Sequence, residues 1–222
     1  MSLIVMSLLV LLVLLYQYWQ REVFFKRDIG TVEAKGGLSS PVDGTLVYVR
    51  HGEPGPVYSS KLEDDIYAMD MNEPFVHIGI YMSIFDRHYV CAPCDCRIES
   101  VEHWGTGLNL PMLDLIEYTN VMFRRKFSNW FERHLSTWIL RNERTVVRLA
   151  HPDGWKFWMI LIGDKYVNKT DILKEGSLKA GEPFAFIRRG SQTDMIFPKD
   201  VIESVVPSVE KRLVAGDMLC QK

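Results

Sequence analysis

From about residue 36 onward the chain is a succession of short apolar runs separated by turn residues, and this pattern confines it to folds made of paired strands. TLVYVR follows the turn cluster GGLSSPVDG, and FVHIGIYM has the unbroken apolar character of a buried strand. CRIESVEH, TVVRLA, WKFWMILIG, FAFIRR and TDMIFP read the same way, and KRLVAGDMLC closes the chain. HGEPGPVYSSKLEDD reads as a loop. Helical segments do not alternate with these runs, so the predicted class is α+β and β-rich, with mainly antiparallel sheets.

Two segments break the pattern. Residues 2–19, SLIVMSLLVLLVLLYQYW, carry no charged side chain, and Arg21 is the first. That length is close to the ~20 apolar residues that cross a bilayer core. Tyr16, Tyr18 and Trp19 suit the interface, and Arg21, Lys26 and Arg27 follow. The expectation is an N-terminal transmembrane helix at 1–20: a single-pass membrane anchor with residues 21–222 on the cytoplasmic face. No basic region precedes the run and no small-x-small site follows it, which argues against a cleaved signal peptide.

The second segment is 111–140, with no Gly or Pro after Pro111. Its apolar residues recur at helical spacing, and Arg124, Arg125, Glu132 and Arg133 occupy the other face. It reads as an amphipathic helical insertion, either packed on the sheet or dipping into lipid through Trp130, Phe131 and Trp138. In the second case Arg124, Arg125 and Lys126 would meet lipid phosphate.

Composition narrows the partners. The net charge is −2, which gives no global field for nucleic acid. Cys91, Cys94 and Cys96 crowd into six residues with Pro93 among them, and Cys220 stands alone. Structural zinc normally takes two separated ligand pairs, so reduced thiols are favoured and no metal is predicted.

The chemistry concentrates in SPVDG (40–44), MSIFDRHYVCAP (82–93) and FIRRGSQTDMIFP (186–198). Asp43, His88 and Ser191 supply orienter, base and nucleophile, the set that activates a hydroxyl. Each stretch alone is weak, and a Gly-Ser pair between strands is commonly a hairpin. Together with Asn142-Glu143-Arg144, Ala92-Pro93, the lead-in Phe24-Phe25-Lys26-Arg27-Asp28 and the closing Arg212-Leu213-Val214-Ala215-Gly216-Asp217, they resemble the signature blocks of the phosphatidylserine decarboxylases, in the family's order from 24 to 220. The closing turn is similar to that of the short bacterial and archaeal type. Val42 replaces the family's usual Ala, Cys91 stands where the long bacterial type has a second His, and the insertion at about 108–140 exceeds the usual length.

The resemblance implies a catalytic domain over 21–222 that cleaves itself between Gly190 and Ser191. Ser191 would attack the Gly190 carbonyl, His88 would take the proton, and Asp43 would orient the imidazole. Elimination would leave a pyruvoyl group at position 191, a covalent cofactor formed from the chain itself. A serine phospholipid would then form a Schiff base there, lose CO₂ and be reprotonated by His88 to the ethanolamine lipid. The implied partners are that lipid, the membrane, the two cleaved fragments as a non-covalent pair, and further copies of the chain, since the family suggests a dimer or higher assembly. Nucleic acid is not among them. The alternatives are a non-cleaving, membrane-tethered lipid-binding relative and a serine hydrolase; the second lacks a G-x-S-x-G elbow.

Overall fold

A computed structural model describes residues 3–19, 23, 32–57, 69–83, 86–105, 109, 142–163, 170–187 and 191–221. The expected insertion, apart from Asn109, lies outside these residues, with Arg124, Arg125, Lys126, Trp130, Phe131 and Trp138. So do the 24–28 lead-in and Gly190.

The N-terminus forms α1 (Leu3–Trp19), 17 residues long. At 1.5 Å per residue it spans about 25 Å, short of a ~30 Å hydrocarbon core. No helix among the described residues is long and apolar enough to cross a membrane. The transmembrane helix expected at 1–20, and the single-pass topology built on it, are therefore not supported.

The body is β-rich, as the run pattern requires. In chain order come β1 (Leu38–Ser39), β2 (Gly44–Gly52), β3 (Gly55–Pro56), β4 (Asp70–Met71), β5 (Phe75–Met82), β6 (Tyr89–Cys91), β7 (Cys96–Trp104) and β8 (Arg144–Ala150). Then follow β9 (Lys156–Gly163), β10 (Thr170–Ile172), β11 (Ser177–Leu178), β12 (Pro183–Ile187), β13 (Ser191–Pro198), β14 (Ser204–Val205), β15 (Arg212–Leu213) and β16 (Met218–Gln221). Eight strands make one antiparallel sheet in the order β11-β7-β8-β9-β13-β5-β2-β15. Smaller sheets are β1-β16-β14, β10-β12-β6 and β3-β4.

Side-chain alternation gives the large sheet two buried faces. Ile78, Ile80, Met159, Leu161, Met195 and Phe197 enter the larger core, with β6 and β12 packed on that side through Val90, Phe184 and Ile187. Tyr48, Phe75, Tyr81, Ile160, Ile162 and Ile196 enter a second core on the reverse face. Burial on both faces explains why FVHIGIYM is continuously apolar, and every residue of β5 is buried.

One expectation about connectivity changes. The Gly-Ser pair does not close a hairpin, because β12 and β13 belong to different sheets and Ser191 is itself the first residue of β13. Residues 188–190 therefore link two sheets.

Candidate active site

The SPVDG turn is closed by its own side chain and gripped by the C-terminal segment. Ser40 Oγ donates to the Val42 carbonyl at 2.8 Å. Ser40 N–H donates to the Asp217 carbonyl at 2.7 Å, and Gly216 N–H donates to the Ser40 carbonyl at 2.9 Å. The Ala-Gly-Asp turn at 215–217 thus seats the Ser-Pro-Val-Asp-Gly turn, although the two are far apart in sequence. Gly44 is required where this turn enters β2: a Cβ there would lie 2.4 Å from the Tyr81 carbonyl oxygen. That close approach brings the turn against the end of β5, where Thr45 is the register partner of Tyr81.

The His block lies beside it. Cys91 N–H donates to the Pro41 carbonyl at 2.8 Å, joining β6 to the turn. Asp43 receives Arg87 as a two-pronged pair, Nε to Oδ2 at 2.6 Å and Nη2 to Oδ1 at 2.9 Å. Ala215 N–H adds a third hydrogen bond to Oδ1 at 2.9 Å. Burial opposes ionisation of Asp43, but the Arg87 hydrogen bonds and charge and the Ala215 N–H outweigh it, holding the carboxyl below its ordinary range. Asp43 is a carboxylate at neutral pH.

His88 is fully buried, and its Nδ1 donates to the Asp86 carbonyl at 2.8 Å. A carbonyl only accepts, so the proton of the neutral ring sits on Nδ1 and Nε2 presents its lone pair as a base. The sequence reading has Asp43 orienting this imidazole. In the fold the Asp86 backbone holds the ring, and Asp43 is joined to the neighbouring Arg87. Asp86 is itself fixed: its carboxylate accepts from Ser83 N–H at 2.8 Å and Ser83 Oγ at 2.9 Å, and it pairs with Arg212.

Position 191 is reached from three sides. Its register partners in the large sheet are Met82 at the end of β5 and Gly163 at the end of β9. On the preceding strand, Ile187 N–H donates to the His88 carbonyl at 3.0 Å, three residues before Gly190. The Asn142-Glu143-Arg144 block buttresses Gly163: Asn142 Nδ2 donates to the Gly163 carbonyl at 2.8 Å, and Gly163 N–H donates to the Glu143 carbonyl at 2.8 Å. Buried Arg144 caps the Asn142 carbonyl through Nε and Nη2. Asp43, His88 and the start of β13 are therefore brought to one end of the large sheet.

Sequence reasoning placed Arg87, Asp86, Arg212 and Asn142 in its signature blocks but gave none of them a role in this region. The signal was present for all four, in MSIFDRH, Asn142-Glu143-Arg144 and the closing Arg212–Asp217 run. Cys91 is also here, and burial first and then the Asp43 charge push its thiol up to about 12, so the free thiol stays protonated at neutral pH. Of the remaining histidines, His103 pairs with Glu143 at 2.6 Å, His151 stacks on Trp155, and His51 is exposed.

Comparison with known proteins identifies the chain's relatives. Residues 22–221 match the family described as phosphatidylserine decarboxylase. The chain belongs to the phosphatidylserine decarboxylase family. A protein of Methanocaldococcus jannaschii, named provisionally as an archaetidylserine decarboxylase proenzyme, is 26% identical over 89% of this chain and 87% of its own length. A phosphatidylserine decarboxylase proenzyme of Carboxydothermus hydrogenoformans is 27% identical over 90% of this chain and 77% of its own. One of Paramagnetospirillum magneticum is 24% identical over 90% and 70%. No solved structure matches the chain at a significant level.

Proposed function

We propose that this chain is a proenzyme that cuts its own backbone between Gly190 and Ser191 and then decarboxylates a serine phospholipid, phosphatidylserine or a close relative, to the ethanolamine lipid. The observation that supports the reading is that Asp43 lies beside the end of β5, whose Met82 is the register partner of Ser191, while the His88 carbonyl is tied to Ile187 N–H ahead of the proposed cut.

In the first step Ser191 Oγ would bond to the Gly190 carbonyl carbon as its proton passes to His88 Nε2, and the amide C–N bond would break to leave an ester and a free amine at 191. Loss of the Cα proton of residue 191 would then break the ester C–O bond, leaving a Gly190 carboxylate and an enamine that hydrolyses with release of ammonia. The ketone so formed at 191 supplies the electron sink that CO₂ loss requires and that no ordinary side chain offers. The chain's own residues do the rest. His88 moves protons at Nε2, an effect typically worth ~10²–10⁴-fold. The Asp43 carboxylate, held by Arg87, stabilises positive charge at that end of the sheet. Met82 of β5 and Gly163 of β9 flank residue 191 in the sheet.

The substrate stays in a bilayer, and α1 supports delivery to it. Its apolar side chains are exposed on all sides. A helix apolar around its whole circumference needs an apolar surrounding, and we take lipid to be that surrounding. The cationic insertion at 108–140 and its Trp130 and Phe131 are proposed to lie at the same interface.

The test is a denaturing gel with mass spectrometry of the purified chain. Two fragments, 1–190 and 191–222 with a ketone in place of the serine amine, are expected, together with release of CO₂ from serine phospholipid in vesicles. Ser191→Ala and His88→Ala should each give one band near 25.7 kDa. A single band from the unaltered chain would instead mark a non-cleaving lipid-binding relative. Offering ester-linked and ether-linked serine lipids side by side fixes the backbone preference.

A further inference from the structure

The mechanism leaves unused a polar cluster buried on the reverse face of the large sheet. Asp194 is fully buried in the middle of β13. Tyr48 Oη donates to its Oδ2 at 2.7 Å, and His77 Nε2 donates to the same oxygen at 2.9 Å. Gln192 Nε2 donates to Oδ1 at 2.7 Å and to Tyr48 Oη at 2.9 Å. Burial first, then the Asp194 charge and hydrogen bond, push the Tyr48 hydroxyl well above its ordinary value, so it remains a donor.

The partners come from different strands, and their arrangement depends on register. Tyr48, Gly79 and Asp194 form one row across β2, β5 and β13. A Cβ on Gly79 would lie 2.4 Å from Tyr48 Cζ, so the ring crosses directly over the glycine to reach Asp194. A displacement of β13 by two residues would return each side chain to its own face and leave the apolar alternation intact. It would also set His77 or Tyr81, in place of Gly79, opposite Asp194, and take the carboxylate away from its donors. A buried carboxylate without donors is heavily penalised. The cluster therefore forbids the one kind of slip that the hydrophobic pattern tolerates.

This matters because β13 begins at Ser191. If the backbone is cut there, as proposed above, the strand loses its covalent tie on the N-terminal side, and the 191–222 piece must keep its place without it. We propose that Asp194, with Tyr48, His77 and Gln192 over the Gly79 notch, is a positioning device that fixes the register of the cut strand and so holds residue 191 between Met82 and Gly163. The inference rests on the cleavage reading and adds residues on the opposite face of the sheet to it.

The test puts Asp194→Asn into the full-length chain in two backgrounds, the self-cut protein and the uncut Ser191→Ala protein. In the cut protein the substitution should speed loss of the 191–222 fragment in mild urea, followed by size exclusion, at least tenfold. It should also lower kcat about tenfold with KM little changed. In the uncut background the same substitution should change the unfolding rate less than threefold, because the tie is still present. Tyr48→Phe, which removes one hydroxyl, should act in the same direction by a smaller factor, and it decides the matter if Asp194→Asn does not fold. Equal effects in both backgrounds would reduce the cluster to an ordinary stabilising network and overturn the proposal. So would a cut variant that retains its fragment and its kcat. An unaltered chain that is never cut would overturn both this inference and the cleavage reading, whereas cutting without sensitivity to position 194 overturns this inference alone.

Discussion

Arg87, beside His88 in sequence, pairs with Asp43, and the pair's behaviour with pH follows from the direction of the Asp43 shift. The folded-state pKa lies below the model-compound value of 3.8. A carboxyl depressed on folding binds fewer protons in the native state than in the unfolded chain. Its contribution to stability is therefore complete above the unfolded value and is lost as pH falls through the lower folded value. Urea midpoints from pH 7 to 2 should show that loss in the parent and not in Asp43→Asn. Arg87→Ala strips the two strongest hydrogen bonds from a mostly buried carboxylate and should cost ~1.5–3 kcal/mol. Self-cleavage should slow with it, measured as the half-time of band conversion after expression in a cell-free system. Arg87→Lys restores charge but not the two-pronged geometry and should rescue only in part.

At the level of elements, the strands were readable because their side chains obey a period of two, or are apolar throughout when both faces are covered. FVHIGIYM is β5 residue for residue, and WKFWMILIG differs from β9 by its first tryptophan. Periodicity assigns a residue to a face but does not name its neighbour on the next strand. The family resemblance named Asp43, His88 and Ser191, but neither it nor periodicity paired Arg87 with Asp43, Asn142 with Gly163, or His77 with Asp194. The same limit hid the assignment of β12 and β13 to separate sheets. Gly44 tests how closely the elements must approach. Gly44→Ala places a methyl group into the Tyr81 carbonyl and must push the SPVDG turn off β5. The expected cost is ~1–3 kcal/mol, as for overpacking elsewhere, with incomplete cleavage on a gel even where circular dichroism reports a folded protein.

For the whole molecule, the N-terminal helix and the β body answer to different surroundings. α1 exposes Leu8, Leu9, Leu11, Leu12, Leu14 and Leu15 with no charge among them, whereas the body buries its apolar residues in two cores of its own. Deleting residues 1–19 should leave self-cleavage intact and abolish flotation with liposomes. Turnover of lipid in vesicles should fall far more than turnover of a short-chain, water-soluble serine phospholipid. Comparable losses on both substrates would assign the helix to folding rather than to lipid.

The linker 188–190 runs from a strand of the three-stranded sheet to a strand of the eight-stranded one. Scission at that seam, as proposed, would sever no rung of either ladder: β12 would keep β6 and β10, and β13 would keep β5 and β9. The proposed cut would free two chain ends while residue 191 keeps its place between Met82 and Gly163.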